Sequence, residues 1–418
     1  MKAFSFSTPE LEAVDDLLAS KRWYLLGVLL AAPIVLVIYC LRPLMLIRFG
    51  VLNQAERIGS LAPRVGYYFL IRNNLNVLYR TIDIISVPRR VANLQLVIML
   101  KRYVRVAPAA CIWLFCERAC LFWTRSQVHS ITTADPTKHY LPIRESSEKL
   151  AFTAAEKQSG TLLLEALGIP AGSAWVCIHN RDSKYLDATV SATRSVSGGS
   201  WAYHNYRDFS VQTMVLTTEE LASRGYYVLR MGAVVEEPLV STDPRVIDYA
   251  NTSLRGDFAD IFLLANCAAF LGSDSGILGV PLIFGKPTLL VNLPLGYLHV
   301  ITKLSSDPFI SKHLSDRKTG NLLSLREVYE RGLGNVGESR KYDEAGVVLV
   351  CNSPEEIRDL AVEMDERIKG SWEPSSEDER LQTWFWEIFR QYCPPDLIGG
   401  VQARIGSAFL RQNRYLLD

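Results

Sequence analysis

A chain of 418 residues, 49% of them hydrophobic, is long enough to bury the cores of two α/β domains with attachments. Its 45 Lys and Arg balance 44 Asp and Glu, a formal net charge of +1 that excludes the global basic footprint of a nucleic-acid binder. The eight cysteines show no CxxC pair and no histidine at zinc spacing, so they read as free, mostly buried thiols in a reducing compartment.

Trp23 to Leu41 is a run of nineteen residues without a charge, bounded by Lys21-Arg22 and Arg42. The length fits a single spanning helix, Pro33 is tolerated there, and Trp23, Tyr24 and Tyr39 suit the interfacial belts. A cleaved signal fits poorly, because Glu10, Glu12, Asp15 and Asp16 precede the run and no small-residue cleavage site follows it. The segment is therefore predicted to be an uncleaved anchor, with a buried core helix as the alternative. Arg42, Arg48, Arg57, Arg64, Arg72 and Arg80 after the run place the body on the cytoplasmic side.

Leu44-Met-Leu-Ile-Arg-Phe-Gly50 reads as a short buried strand, Val51 to Gly59 as a polar loop and Ser60 to Leu78 as mostly helix. Ile82 to Val87 and Leu94 to Leu100 are further apolar elements. Arg89-Arg90 and Lys101 to Arg105 are basic clusters that suit anionic lipid heads or a solvated face equally. Ala107 to Trp123 is apolar but split by Glu117-Arg118, which argues for a buried or membrane-leaning helix rather than a second span. Ser126 to Ser147 is polar and contains Pro136 and Pro142, the signature of a linker.

Ala151 to Leu167 reads as an amphipathic helix stopped at Gly168-Ile-Pro170, and Ala174-Trp-Val-Cys-Ile178 as a buried strand. Asp187 to Ser200 is a long Gly/Ser-rich loop. Thr218 to Gly225 ends a helix, Tyr226-Tyr-Val-Leu-Arg230 is a strand, and Ile247-Asp-Tyr249 another short one. Phe258 to Ala268 is helical, Ala269-Phe-Leu271 the next strand, and Thr288-Leu-Leu-Val-Asn292 a further buried strand. Strands alternating with helices predict a parallel sheet, whose ligands gather beyond the strand carboxyl ends. Pro354 to Lys369 and Leu381 to Tyr392 are amphipathic helices, and the tail from Ala403 reads as a closing segment.

Four of those strand ends carry polar groups: His179-Asn-Arg-Asp182, Arg230-Met-Gly232, Asp248-Tyr249 and Gly272-Ser-Asp-Ser-Gly276. Ser273, Ser275 and Gly276 are expected to bring bare N–H groups and hydroxyls against an anion at a helix start. Arginine forks pair with phosphate in a bidentate way, so Arg181 and Arg230 beside that turn suit a diphosphate. The plain alternative for each is a tight turn or a capping residue. Among the carboxylates Asp182, Asp208, Asp248, Asp257, Asp260 and Asp274, Asp182 is the best single candidate for base or orienting work. No Walker loop and no GxSxG elbow occur. The GxGxxG string Gly332-Leu-Gly-Asn-Val-Gly337 follows a helix-like stretch, not a strand, and reads as a loop.

His179-Asn-Arg-Asp182 with Tyr185, Tyr206-Arg-Asp208, Arg230-Met-Gly232, Ile247-Asp-Tyr249, Asp260-Ile-Phe-Leu263, Gly272-Ser-Asp-Ser-Gly276 and Phe284-Gly-Lys-Pro287 occur in order. With Arg57-Ile-Gly59 and Ile405-Gly-Ser-Ala-Phe-Leu410, the set resembles a family of GT-B-type glycosyltransferases of bacterial surface-polysaccharide loci. The His-x-Arg stretch is also similar to the donor-diphosphate motif of fucosyltransferases. One departure stands out: the family continues Arg-Ile-Gly-His, whereas Ser60 follows Gly59 here.

The resemblance implies an α/β, GT-B-like fold of two Rossmann-like domains facing a cleft. The expected division is 1–42 tail and anchor, 43–150 acceptor domain with linker, 151–350 nucleotide-sugar domain, and 351–418 helices closing back on the body. It implies a catalytic group of Asp182, Arg181 and His179, and donor binding by Arg230, Gly232, Asp248, Ser273, Asp274, Ser275 and Gly276. Asn53, Arg57 and Gly59 would form the acceptor-side loop. No resident metal or cofactor is expected. The expected partners are a nucleotide-sugar donor, a glycan or glycolipid acceptor and the membrane, with no nucleic acid, at a bacterial inner membrane. A nucleotide-sugar epimerase and an inactive membrane scaffold of the same fold are the alternatives.

Overall fold

The computed structural model describes residues 21–52, 54–73, 80–88, 90–108, 116, 119, 120, 122, 127–131, 143, 144, 150–184, 201–298, 307–393 and 403–418. Tyr185, Asn53, Arg89, the loop expected over 187–200 and most of the 107–123 and 126–147 stretches lie outside them. The chain divides into two compact units, 1–136 with 146–151, and 137–145 with 152–418.

The first unit is built on a three-stranded parallel sheet, β1 (Met45–Val51), β2 (Arg80–Val87) and β3 (Arg105–Pro108), in that order. The helix Ile58–Asn73 joins the first two strands as expected, and Leu94–Leu100, an apolar run without strand alternation, folds as a helix capped by the Asn93 side chain. The register sets Arg48 opposite Asp83. Both are buried, and Arg48 Nε and Nη2 donate to the two carboxylate oxygens at 2.6 Å each, with Tyr68 OH donating to Asp83 Oδ2 at 2.9 Å. A buried pair is tolerable only with such full satisfaction. Burial and the Asp83 charge push the Tyr68 phenol upward, which keeps it a donor.

Lys21–Leu41 is helical with Pro33 inside it. Ala31, Val35 and Ile38, on one helical face, pack with Phe49, Cys116, Ala119 and Cys120. Among the described residues no helix is long and apolar enough to cross a membrane. The spanning anchor expected over 23–41 is thus without support: the described part of the helix already spends one face on the core of the first unit.

The second unit holds a seven-stranded parallel sheet. In chain order its strands are β4 (Trp175–His179), β5 (Tyr227–Arg230), β6 (Val246–Ile247), β7 (Ala269–Gly272), β8 (Thr288–Leu293) and β9 (Pro308–Ser311), followed by β12 (Arg404–Ile405) after the antiparallel pair β10 (His313–Asp316) and β11 (Val347–Val350). Spatial order is β12-β9-β8-β7-β4-β5-β6. Val176, Cys177, Ile178, Val228, Leu229, Phe270, Leu271, Leu289 and Val291 are sealed from solvent, the continuous apolar runs of a sheet covered on both faces. Five of the six described cysteines other than Cys40 are buried and all seven described are free, as expected.

Helix starts follow their capping chemistry. Thr153 and Glu156 form a reciprocal capping box at Ala154–Ala166, as do Ser353 with Glu356 at Pro354–Lys369 and Ser375 with Asp378 at Ser376–Tyr392. Five strands escaped the sequence reading: β3, β9, β10, β11 and β12. β9 is a four-residue strand whose apolar signal is only Phe309-Ile310, and β12 is two residues long. β12 pairs with β9, and Gln382 covers its other side, exchanging bonds with both backbone groups of Ile405. The segment Gly332–Gly337 is a loop between the helices Leu325–Glu330 and Ser339–Glu344, as read.

Candidate functional site

The carboxyl edge of the large sheet gathers the polar strand ends. β4 and β7 are neighbours with His179 opposite Gly272, so Asn180-Arg181 and Ser273-Asp274 leave the sheet side by side. That closeness requires glycine: a Cβ on Gly272 would sit 2.7 Å from the His179 carbonyl oxygen. The helix start expected after Gly276 is weaker than predicted. Ser275 precedes a short 3-10 turn, Gly276–Leu278, and the helix that follows, Gly279–Ile283, is five residues long. A macrodipole of that length adds little, so anion affinity at this turn has to come from side chains and local N–H groups.

Arg181 is 6% exposed. Its Nη1 donates to the His204 carbonyl at 3.1 Å and pairs closely with Asp208, while Nη2 is buried with no hydrogen-bond partner. Burial and the neighbouring Arg207 charge lower its pKa to about 10, and Asp274 works the other way, so Arg181 stays charged at neutral pH. Arg207 donates to Asp274 Oδ2 at 3.2 Å and binds that residue's carbonyl at 3.4 Å. The hydroxyls of Ser273 and Ser275 are likewise buried with no hydrogen-bond partner. Buried donors left unmade cost free energy, so several of them at one sheet edge point to a ligand that completes them.

Lys312, one residue past β9, is 3% exposed and brings a third cation to this edge. Its Nζ donates to the Asp208 carbonyl at 2.8 Å, and burial lowers its pKa. Lys312 was not singled out from the sequence, and Arg207 entered only within the Tyr206-Arg-Asp208 motif of the resemblance, with no role assigned to it. Arg207 sits in the irregular 3-10 segment Trp201–Arg207, and Lys312 follows a strand whose apolar signal is two residues long.

Arg230 is placed differently from the expectation. It is fully buried, and its Nη groups go to Asp248 Oδ1 at 3.3 Å, Asn180 Oδ1 at 3.2 Å and the Glu237 carbonyl at 3.3 Å. Asn180 in turn donates to the Phe209 carbonyl at 3.0 Å. Arg230 therefore supports the loop that carries Arg181 from beneath. Asp248, placed just before the 3-10 turn Tyr249–Asn251 rather than in a strand, accepts from Arg230, Leu239 N and Asn251 Nδ2. Gly232 is packed so that a Cβ would lie 2.5 Å from Val235 Cγ1.

His179 ends β4 partly exposed, with Nδ1 at 3.0 Å from the Met231 carbonyl, which fixes Nδ1 as the protonated nitrogen. Burial lowers its pKa to about 4, so the ring is neutral at pH 7. Asp182 accepts from Lys184 N and Glu236 N, each at 3.2 Å, and so ties two loops together. Arg57, Gly59 and Ser60 belong to the first unit. The Arg57 carbonyl accepts from Ser60 N and Leu61 N and opens the helix Ile58–Asn73, and Ser60 Oγ lies 3.5 Å from Gln54 Oε1. Asn53 lies outside the described residues.

No protein-family model matches the chain, and no curated protein matches it. Among solved structures it is similar to ADP-heptose lipopolysaccharide heptosyltransferase II of E. coli, at 12% identity and a TM-score of 0.32 over 58% of this chain and 84% of that one. A glycosyltransferase family 9 protein from Veillonella parvula gives 8% identity and a TM-score of 0.34 over 58% and 80%. Likeness this slight assigns neither a fold family nor an activity. The chain is an α/β protein of parallel sheets with a buried cation cluster at the carboxyl edge of the larger one.

Proposed function

We propose that the chain is a sugar transferase of GT-B-like build, taking a nucleotide-sugar donor at the cation cluster of the second unit. One observation carries this reading. Arg181 is buried and charged with Nη2 unpartnered, beside two hydroxyls in the same condition and with Arg207 and Lys312 at the same edge. A diphosphate supplies the missing acceptors and the missing negative charge together.

In transfer, an acceptor hydroxyl oxygen attacks the anomeric carbon, the bond from that carbon to the diphosphate oxygen breaks, and the nucleoside diphosphate leaves. Arg181 stabilises the growing charge on the leaving oxygen, with Arg207 and Lys312 reinforcing the field. The acceptor proton goes to a base. Asp182 is the carboxylate we assign to base or orienting work, and neutral His179 is the second acceptor at that strand end. Ser273, Asp274, Ser275 and Gly276 form the donor turn, while Arg230, Gly232 and Asp248 hold its surroundings in place. The positive charge comes from the chain's own side chains, so the reading needs no resident metal or cofactor.

The first unit, with Asn53, Arg57 and Gly59, takes the acceptor role in this reading. The acceptor is a surface glycan or its lipid-linked precursor, at the cytoplasmic side of a bacterial inner membrane. Thermal-shift titration of the full chain with nucleoside diphosphates tests donor binding, and product analysis tests the reaction. Sugar joined to an acceptor supports transfer. An altered free nucleotide sugar indicates an epimerase, and binding without turnover a scaffold.

A further inference from the structure

The helix Lys21–Leu41 is apolar on two sides, and only one is covered. Ala31, Val35 and Ile38 are spent on the core of the first unit. On the remaining surface Leu29 is 59% exposed, Leu30 70%, Leu36 64% and Val37 57%, and Leu44 just past the helix is 72% exposed. The spacing of 29, 33, 36, 37 and 40 keeps these positions on one stripe of the helix, with Leu30 at its margin. Contiguous bare leucines of this kind mark an interaction surface.

Charge selects the occupant. From Arg42 to Asp135 the sequence carries thirteen Lys and Arg against four Asp and Glu, and from 137 to 418 it carries 29 against 36. The buried Arg48–Asp83 pair removes one charge of each sign, leaving twelve bases against three acids. The first unit is thus strongly basic within a chain that is otherwise acidic. A second copy docking on this stripe would set one basic unit against another. A lipid surface with anionic headgroups supplies both the apolar boundary and the countercharge. Crossing the bilayer would instead strip Ala31, Val35 and Ile38 from Phe49, Cys116 and Cys120.

We propose that the first unit docks on an anionic lipid surface with the helix Lys21–Leu41 lying in the interface plane. Leu29, Leu30, Leu36 and Val37 enter the boundary between headgroups and acyl chains, and the exposed Arg42 and Tyr39 sit at headgroup level. This deepens the membrane side of the functional reading without resting on sugar transfer. A test of lipid binding that fails leaves the donor site standing.

The test is co-flotation of the full chain with vesicles of phosphatidylglycerol and phosphatidylcholine, compared with phosphatidylcholine alone. The expected result is flotation with the anionic vesicles, weakened by high salt and reduced about tenfold in the double variant Leu36→Glu/Val37→Glu. Leu162→Glu, an exposed leucine of the second unit, controls for added charge and is expected to float like the parent. Equal flotation of the double variant overturns the proposal. So does a parent dimer that the double variant converts to monomer without lipid binding. Cleavage of the residues before Lys21 by protease added outside sealed cells, with the rest of the chain protected, indicates a span and overturns it as well.

Discussion

Lys312 Nζ donates to the backbone carbonyl of Asp208 at 2.8 Å, and the Asp208 carboxylate is the close partner of Arg181. Through this chain a cation past β9 fixes the position of one past β4, two strands that are not neighbours in the sheet. Lys312→Met removes the buried charge and the bond that holds Asp208. Nucleoside diphosphate affinity, measured by calorimetric titration, is expected to fall about tenfold, on the scale of a hydrogen bond to a charged group. An unchanged Kd would remove Lys312 from the site.

Arg181 separates charge from geometry. Arg181→Lys keeps a cation but loses the planar fork, and Arg181→Ala loses both. Both are expected to fold, because Asp208 retains some solvent contact and is not stranded in the core. Alanine should abolish measurable nucleoside diphosphate binding, a loss of about 2–5 kcal/mol for a buried charged contact, and lysine should recover only part of it. Full affinity in the alanine variant, with a native circular-dichroism spectrum, would end the diphosphate reading.

Arg230 tests the opposite role. Its side chain is sealed from solvent and supports Asn180 and Asp248. Arg230→Leu leaves Asp248 without its counter-charge and is expected to lower folding stability by about 3 kcal/mol, as for other broken buried pairs. Urea unfolding reads that loss. Under conditions where the variant is folded, its ligand affinity should drop less than that of Arg181→Lys. A variant of full stability that no longer binds would assign Arg230 to direct contact instead.

His179 gives the chain an acid-sensitive term. Its folded pKa of about 4 lies below the ordinary histidine value of 6.5 because burial disfavours the imidazolium. As pH falls from 6.5 to 4 the unfolded chain takes up this proton before the folded one does, so stability declines through that window and levels off below it. The linked loss is at most about 3 kcal/mol. His179→Asn, whose side-chain amide keeps a donor for the Met231 carbonyl, is expected to flatten the decline of melting temperature between those limits. An identical pH profile for both proteins would show that His179 titrates normally.

The parallel sheet of the second unit was legible because its strands are continuous apolar runs ending in polar residues, as at Ile178-His179 and Leu271-Gly272-Ser273. The short elements were not. β9 and β12 contribute too few side chains for a periodic signal, and their strand identity comes from pairing partners remote in sequence. Within the site, Arg181 and the 273–276 turn were readable from strand-end position. Arg230 occupies the same kind of position but points under the loop, a difference set by Asp248 and Asn180 that sequence spacing does not encode. Arg207 lies in an irregular segment where no periodic rule applies. The helix Lys21–Leu41 was read as a span from hydropathy, and a charge-free run does not reveal that one face is covered by the protein's own core.

The strand Arg404–Ile405 completes β9 only after the whole stretch from 312 to 403 has been made. During synthesis the outer rim of Pro308–Ser311 offers unpaired amides and carbonyls to any extended peptide nearby. Trimming the chain before residue 404 would make that temporary vulnerability permanent, and such a truncated protein should be recovered chiefly as insoluble aggregate.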